Sequence, residues 1–225
     1  MKAAHFVRTL AGVAAFLALV VLAAPCPVRS APSTPDASSA AKPEVKRATF
    51  AGGCFWCMET AFEGRPGIVA VISGFSGGKE AHPTYDEVSA GRTGHMESVE
   101  VVYHPSEISY ERLLEIYWHN IDPTQGDGQF CDRGAQYRSA VFVRDDNERR
   151  LAEHSKSAIE KAKTLHAPIV TRILPFTGFW PAEEYHQDYF HKNPDDYHRY
   201  REGCGRDRRL EELWGAKAGE DPAVH

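Results

Sequence analysis

The chain has 225 residues, of which 42% are hydrophobic and 25% are charged. These values are ordinary for a soluble globular protein and allow one domain with a substantial core. The 26 Lys and Arg residues are outnumbered by 31 Asp and Glu residues, and the net charge is -5. The chain therefore lacks the basic field that would attract nucleic acid or an anionic membrane surface, and we expect neither partner.

The first thirty residues have the layout of a secretory signal peptide. Lys2 and Arg8 precede an uncharged apolar run from Leu10 to Ala24, and small residues follow this run. The run is shorter than the roughly 20 apolar residues that cross a bilayer as a helix, so a signal anchor is the weaker interpretation. We therefore expect export to the periplasm or secretion, with no stable membrane insertion after cleavage.

The rest of the chain divides by composition. Residues 31–45 are rich in Ala, Ser and Pro and lack apolar periodicity, which predicts a disordered linker. The folded domain is expected over residues 46–215, followed by a flexible tail over 216–225. If Cys26 leaves with the signal peptide, four cysteines remain in a compartment where thiols tend to become disulfides. These are Cys54, Cys57, Cys131 and Cys204.

Hydrophobic periodicity predicts an alternation of short strands and helices. The predicted strands cover residues 48–51, 68–72, 97–103, 137–143 and 169–174. The predicted helices cover residues 58–63, 110–117 and 145–165, and Ser109 is the expected N-cap of the second helix. Residues 74–78 are predicted to form a turn, and residues 79–95 and 122–135 to form long loops. The irregular order of these elements favours an α+β domain in which helices pack as a second layer on a mostly antiparallel sheet.

The most informative motif is Gly53-Cys54-Phe55-Trp56-Cys57, which lies between an apolar strand and a helix. Gly53 supplies a flexible joint, so Cys54 is expected at or just before a helix N-terminus. Unpaired backbone N–H groups and the helix dipole favour a thiolate there, which makes Cys54 the candidate nucleophile. The alternative is that Cys54 and Cys57 are buried and pack as small hydrophobic residues.

Glu97 is the candidate proton donor. Strand alternation places it on the same face as Val99, Val101 and Tyr103. A carboxyl group among such side chains loses solvation, so its pKa rises and it stays protonated near neutral pH. The alternative is a carboxylate at the end of a strand that reaches solvent.

Five further side chains complete the candidate site. Tyr85 and Tyr137 carry phenol donors suited to an oxygen that gains negative charge during a reaction. Phe55 and Trp56 offer an apolar wall for a methyl group or a thioether. Asp132 is suited to orient a substrate group. The alternatives are half-buried tyrosines, core aromatic residues and a turn cap, respectively.

The spacing of Cys54 and Cys57 is also that of thiol–disulfide oxidoreductases, so a disulfide-exchange module is one competing function. Another competing function is that of a binding domain stabilised by structural disulfide bonds. A zinc site is disfavoured, because the chain has only one closely spaced cysteine pair where two-knuckle zinc sites have two. Disulfide exchange needs neither Glu97 nor the two tyrosines, and this separates the functions.

Five motifs in order along the chain together resemble the A-type peptide methionine sulfoxide reductases. They are Gly53-Cys54-Phe55-Trp56, Gly74-Phe75-Ser76-Gly77-Gly78, Pro83-Thr84-Tyr85, Thr93-Gly94-His95-Met96-Glu97 and Gln136-Tyr137-Arg138-Ser139. The resemblance covers residues 46–214. It implies an α+β fold with a ferredoxin-like core and reduction of the S epimer of methionine sulfoxide, free or in proteins, without metal or organic cofactor.

The resemblance also implies a role for each candidate in the chemistry. Cys54 matches the nucleophile of the family and Glu97 matches the acid that protonates the sulfoxide oxygen. Tyr85 and Tyr137 match the phenols that bind this oxygen. The implied product on the enzyme is a cysteine sulfenic acid, which a second cysteine converts to a disulfide.

Substrate and partners follow from the same resemblance. Phe55 and Trp56 match the pocket for the substrate methyl group, and Asp132 matches a polar residue near the substrate main chain. The expected partners are oxidised proteins or free methionine sulfoxide, and a thioredoxin-like reductant in the same compartment. We expect the protein to be a monomer.

The chain departs from the family pattern at its other cysteines. Many members have Gly where this chain has Cys57 and Asn where it has Cys131, and Cys204 stands in place of a Gly-rich tail with two cysteines. Cys204 lies between two glycines in a tail that is expected to swing, so we predict that Cys204 rather than Cys57 resolves the sulfenic acid. Cys131 is then expected to pass the oxidation onward.

Overall fold

The computed structural model describes residues 44–219. The predicted signal peptide, most of the predicted linker and the end of the predicted tail lie outside the described residues. Eight strands occur in the described part of the chain. They are β1 (Lys46–Gly52), β2 (Ile68–Ser76), β3 (Met96–Tyr103), β4 (Gly128–Gln129), β5 (Asp132–Arg133), β6 (Ser139–Val143), β7 (Arg172–Pro175) and β8 (Phe179–Pro181).

Seven α-helices occur in the same part of the chain. They are α1 (Phe55–Phe62), α2 (Tyr85–Ser89), α3 (Tyr110–His119), α4 (Asp146–Ala162), α5 (Tyr189–Lys192), α6 (Pro194–Cys204) and α7 (Arg206–Trp214). The predicted cap of α3 is present, because the Ser109 hydroxyl accepts a hydrogen bond from the Arg112 N–H.

Six of the strands form one mixed sheet in the order β7-β6-β1-β3-β2-β8. Neighbouring strands are antiparallel except for β6 and β7, which run parallel. The two short strands β4 and β5 form a separate hairpin. Helices and a mixed sheet share one core, so the predicted α+β class is confirmed.

Aromatic stacking in the core fixes the junction between β1 and α1. Phe50 of β1 stacks on Phe62 of α1, with ring centroids 5.3 Å apart, and on Tyr117 of α3 at 5.1 Å. The Tyr117 hydroxyl donates a hydrogen bond to the Ala51 carbonyl oxygen. The end of β1 is therefore held from both helices, and the candidate site begins at this end.

The structure differs from the sequence prediction before and within the loop 79–95. Residues 74–76 continue β2, where we predicted a turn. A Cβ at Gly74 would lie 2.3 Å from the Trp180 backbone oxygen, so glycine allows β8 to pair at this edge. The predicted loop itself contains α2, which begins with a capping box formed by Thr84 and Glu87.

The C-terminal segment also differs from the prediction. The segment around Cys204, which we expected to swing, is helical: α6 ends at Cys204, and α7 follows a turn at Gly205 with φ 69°. Cys204 therefore ends a helix, and its position is fixed. Among residues 44–219, no helix is long and apolar enough to cross a membrane.

Candidate active site

A strand–turn–helix unit positions the candidate nucleophile. β1 ends at Gly52, and Gly53 turns the chain with φ 85°, a conformation that residues with a side chain rarely adopt. A Cβ at Gly53 would also lie 2.6 Å from Gln129 Cβ. Cys54 is the N-cap of α1, and its carbonyl oxygen accepts the first hydrogen bonds of that helix. The local geometry therefore follows the sequence motif.

One small cavity at the start of α1 brings the candidate residues together. Its volume of about 60 Å³ leaves room for a group of a few atoms, since a cavity of roughly 10–15 Å³ is enough for one water. Among the described residues, neither Cys57 nor Cys204 lines it. The lining residues are Cys54, Phe55, Trp56, Tyr85, Glu97, Asp132, Tyr137 and Tyr200.

Glu97 is buried in this cavity wall with 2% of its surface exposed. The Phe55 backbone N–H donates a hydrogen bond of 3.0 Å to Glu97 Oε2. Burial raises the pKa of Glu97 to about 8, and the hydrogen bond opposes this rise only in part. The carboxyl group is therefore mainly protonated at neutral pH. The alternative of a solvent-exposed carboxylate is excluded.

The two phenols reach the cavity from separate elements. Tyr85 is the first residue of α2, and Tyr137 ends a short 3-10 helix over residues 135–137. Burial raises the pKa of Tyr85 to about 12 and also raises the pKa of Tyr137, and Glu97 acts on both in the same direction. Both phenols therefore keep their O–H donors at neutral pH.

Cys54 and Cys57 are neighbouring free thiols in different electrostatic surroundings. Burial raises the pKa of Cys54, and the interaction with Cys57 and the nearby Glu97 act in the same direction. The interaction with Cys54 lowers the pKa of Cys57 despite burial, and the cations Arg206 and Arg201 lower it further. We predicted the thiolate on Cys54, whereas the structure favours it on Cys57, because both thiols are buried but the cations act on Cys57, while Glu97 and Asp132 oppose a thiolate at Cys54.

Cys131 and Cys204 form a disulfide bond, with Cα atoms 5.0 Å apart. The bond joins the loop before β5 to the C-terminus of α6. Tyr200, one turn before Cys204, donates a hydrogen bond to the carboxylate of Asp132. Two links therefore fix the β4–β5 hairpin to α6 beside the cavity. Cys204, our predicted resolving cysteine, is not a free thiol in this state.

Two residues of the site escaped the sequence analysis. Tyr200 lines the cavity and lies edge-on to Trp56, with ring centroids 6.0 Å apart. His186 accepts a hydrogen bond of 3.2 Å from the Trp56 indole N–H. The spacing of Tyr200 and Cys204, four residues apart on one helix face, was the available signal for Tyr200. His186 has no comparable signal in the sequence.

Comparison with known proteins agrees with this geometry. The family model described as peptide methionine sulfoxide reductase matches residues 46–218. The peptide methionine sulfoxide reductase MsrA of Bacillus licheniformis is 50% identical over 173 residues, which cover 77% of this chain and 96% of the relative.

Solved structures give the same result. Methionine sulfoxide reductase A of Corynebacterium diphtheriae has a TM-score of 0.61 and 37% identity, covering 68% of this chain and 77% of that chain. Mxr1 of Saccharomyces cerevisiae in reduced form has a TM-score of 0.61 and 33% identity, covering 68% and 87%. Since the family model and the relatives match most of its length, the chain belongs to the peptide methionine sulfoxide reductase family.

Proposed function

We propose that this protein reduces methionine S-sulfoxide, free or in oxidised proteins, to methionine. The observation that carries the proposal is the single cavity that joins a thiol, a protonated carboxyl group, two phenols and an aromatic wall. A sulfoxide needs each of them: a nucleophile for its sulfur, a proton and donors for its oxygen, and an apolar contact for its methyl group. Membership of the reductase family supports the same reaction.

The first step is oxygen transfer to Cys54. The Cys54 sulfur attacks the sulfoxide sulfur and forms a bond to it, and the Cys54 proton passes to the thiolate of the neighbouring Cys57, whose pKa is lowered to about 6. The S–O bond breaks as Glu97 gives its proton to the oxygen, while the O–H groups of Tyr85 and Tyr137 stabilise the developing charge. The oxygen, released from the substrate sulfur as hydroxide, bonds to the Cys54 sulfur while the bond between the two sulfurs breaks, so methionine leaves as the thioether and Cys54 becomes a sulfenic acid.

The cavity should discriminate between the two epimers of methionine sulfoxide. In the S epimer the oxygen meets Tyr85 and Tyr137 while the methyl group packs against Phe55 and Trp56. In the R epimer one of these contacts is lost, so we expect its turnover to be at least about 100-fold slower, the usual cost of a misplaced reacting group. Methionine release from each separated epimer measures this ratio. Comparable rates would contradict the proposed pocket.

The second step joins two cysteines, and the geometry favours Cys57 over Cys204 as the resolving residue. Cys57 is a free thiol that interacts with Cys54, whereas Cys204 is bonded to Cys131. The Cys57 sulfur attacks the sulfur of the sulfenic acid, a disulfide forms, and the oxygen leaves as water. This reverses the order of the two candidates expected from the sequence.

Peptide mapping after one turnover distinguishes the two cysteines. We expect a Cys54–Cys57 linkage in the wild type and in Cys204→Ser. In Cys57→Ser we expect a persistent sulfenic acid on Cys54, which a carbon nucleophile such as dimedone traps. A Cys54–Cys204 linkage in the wild type, or loss of the new disulfide in Cys204→Ser, would restore Cys204 as the resolving residue.

The proposed function also bears on the reductant, the cellular location and the oligomeric state of the protein. An external dithiol must reduce the new disulfide in each cycle, and a thioredoxin-like protein is the partner of matching chemistry. The charged N-terminus and apolar run at residues 2–24 support a signal peptide and export, so this reductant would work in the periplasm or outside the cell. The domain would act there as a monomer, with Asp132 near the substrate main chain.

The finer description of the fold also belongs to this proposal. The elements β1, α1, β2, β3, α3 and β6 follow the βαββαβ order of a ferredoxin-like core. Their strands lie side by side as β6-β1-β3-β2, and each neighbouring pair is antiparallel. This arrangement supports a ferredoxin-like core with helices as the second layer, extended by β7 and β8 at the two edges.

A further inference from the structure

The two phenols of the cavity come from short elements that are far apart in the chain. Tyr85 begins α2, a helix of five residues, and Tyr137 ends the 3-10 helix of three residues at 135–137. Neither element is a strand of the main sheet. Strand pairing therefore does not by itself fix the separation of the two hydroxyl groups, which must reach one sulfoxide oxygen together in the proposed reaction.

The side chain of Gln136 joins these two elements. Gln136 directly precedes Tyr137 in the 3-10 helix, and its Nε2 donates a hydrogen bond of 2.9 Å to the carbonyl oxygen of Ser89, the last residue of α2. The residue is buried, with 9% of its surface exposed. Since a carbonyl oxygen can only accept, the nitrogen end of the amide must face Ser89. The link between the two elements therefore has one defined orientation.

The oxygen end of the Gln136 amide also has a fixed place. A Cβ at Gly134 would lie 2.4 Å from Gln136 Oε1, so the amide packs directly on the Gly134 backbone. The Gly134 N–H donates a hydrogen bond of 2.9 Å to the Asp127 carbonyl oxygen, and the Gly134 carbonyl oxygen accepts one of 3.2 Å from the Tyr137 N–H. The amide is thus held between the backbone that positions Tyr137 and the end of α2.

Gln136 supplies the link at the second end of α2. At the first end, the Tyr85 backbone N–H donates a hydrogen bond of 3.0 Å to the carboxylate of Glu183. Near the second end, Val88 is fully buried in the core and the Ser89 carbonyl oxygen accepts from Gln136. Loss of the link to Gln136 would allow α2 to rotate slightly about its first end. Such a rotation would move the Tyr85 hydroxyl group relative to that of Tyr137.

We propose that Gln136 is a positioning residue, which sets the separation of the Tyr85 and Tyr137 hydroxyl groups by tying α2 to the 3-10 helix. Gln136 does not line the cavity, so it acts through the two tyrosines. The inference rests on the proposed function, since that function makes both phenols donors to the sulfoxide oxygen. The charge on this oxygen grows in the transition state, so a changed separation affects the chemical step more than substrate binding.

Two variants of similar size separate the hydrogen bond from the bulk of the side chain. Gln136→Met lacks a donor at every pH, whereas Gln136→Glu regains a donor when its carboxyl group is protonated. In single-turnover methionine release at about pH 8, we expect both variants to lower the limiting rate about tenfold. The half-saturating sulfoxide concentration should stay within about twofold of the wild type.

Acid should restore only one of the two variants. Burial should raise the pKa of the carboxyl group introduced at position 136 above its usual value of about 4.3, so that this group is largely protonated at about pH 5. Relative to the wild type at the same pH, Gln136→Glu should then come within about threefold, while Gln136→Met stays about tenfold slower. Comparison at the same pH removes the titrations that all three proteins share.

A general structural role of Gln136 is distinguished by removing the phenols. In protein that carries both Tyr85→Phe and Tyr137→Phe, Gln136→Met should cause no further fall in the limiting rate, because no hydroxyl groups remain to be positioned. A further fall of about tenfold would show that Gln136 stabilises the whole site, and it would overturn the proposal.

A readout without substrate tests the link itself. In protein labelled with 3-fluorotyrosine, the fluorine resonances of Tyr85 and Tyr137 are identified by their loss in the corresponding Phe variants. At least one of the two should shift in Gln136→Met, and both should lie near their wild-type positions in Gln136→Glu at about pH 5.

Three other results would overturn the proposal. They are a wild-type limiting rate in Gln136→Met, equal losses in the two variants at acid pH, and unmoved fluorine resonances in Gln136→Met. If Gln136→Met does not fold, the change in Gln136→Glu between the two pH values carries the test alone. A wild-type protein that releases no methionine would refute the proposed function, while the fluorine resonances would still report on the link.

Discussion

Replacing Cys54 by Ser should abolish methionine release from methionine S-sulfoxide. A hydroxyl group at this position is a far weaker nucleophile than a thiol, and among the described residues the cavity contains no second thiol. We expect a fall on the order of 10⁴-fold or more, as for the loss of a covalent nucleophile in other enzymes. Quantifying methionine after reduced protein is mixed with the sulfoxide gives the result.

The control for Cys54→Ser is Cys131→Ser, which removes a cysteine from a neighbouring loop outside the cavity. We expect this control to release methionine in its first turnover. Far-UV circular dichroism of both variants should match the wild type, since Ser is close to Cys in size. Wild-type release by Cys54→Ser would refute the assignment of the nucleophile.

Glu97→Gln should slow the release of methionine in a single turnover by roughly 10- to 1000-fold, the range of general acid assistance. An amide still donates a hydrogen bond to the sulfoxide oxygen but cannot transfer a proton to it. In the wild type, the acid form of Glu97 is lost as the pH rises through its pKa of about 8. The wild-type rate should therefore fall above about pH 8, and the Glu97→Gln rate should lack this step.

Glu100→Gln is the matched control for Glu97→Gln. Glu100 is also a buried glutamate of β3, but it pairs with Arg47 and Arg144 and does not line the cavity. We expect this control to keep both the rate and the pH profile of methionine release, although it can lower the free energy of unfolding. An unchanged rate in Glu97→Gln would mean that Glu97 is only structural.

Patterns of neighbouring residues predicted the helices and strands that depend only on interactions between residues close in sequence. The Ser109 cap and the spacing of Tyr110, Leu113, Leu114 and Tyr117 define α3 without any knowledge of the rest of the chain. The strand at 74–76 was missed because Gly74 normally signals a turn, and its pairing depends on the distant β8. The capping box of Thr84 and Glu87 was readable, and it was overlooked.

The same distinction applies to the candidate site, where local sequence predicted the positions of residues but not their charge states. Strand alternation was sufficient to place Glu97 on a buried face, and the motif at Gly53 was sufficient to place Cys54 at a helix start. The charge states of Cys54 and Cys57 were not predictable in this way, since they depend on burial and, for Cys57, on Arg206 far along the chain. The disulfide between Cys204 and Cys131 was not predicted, because we expected the region of Cys204 to be mobile, whereas it is helical.

The most direct test of the account is a single turnover without an external reductant. Protein with free Cys54 and Cys57 thiols and an intact Cys131–Cys204 disulfide is mixed with excess methionine S-sulfoxide, and both methionine and free thiols are counted. We expect one methionine per protein molecule and the loss of both free thiols, with the new disulfide between Cys54 and Cys57. Loss of the thiols without methionine would indicate disulfide chemistry alone and would contradict the account.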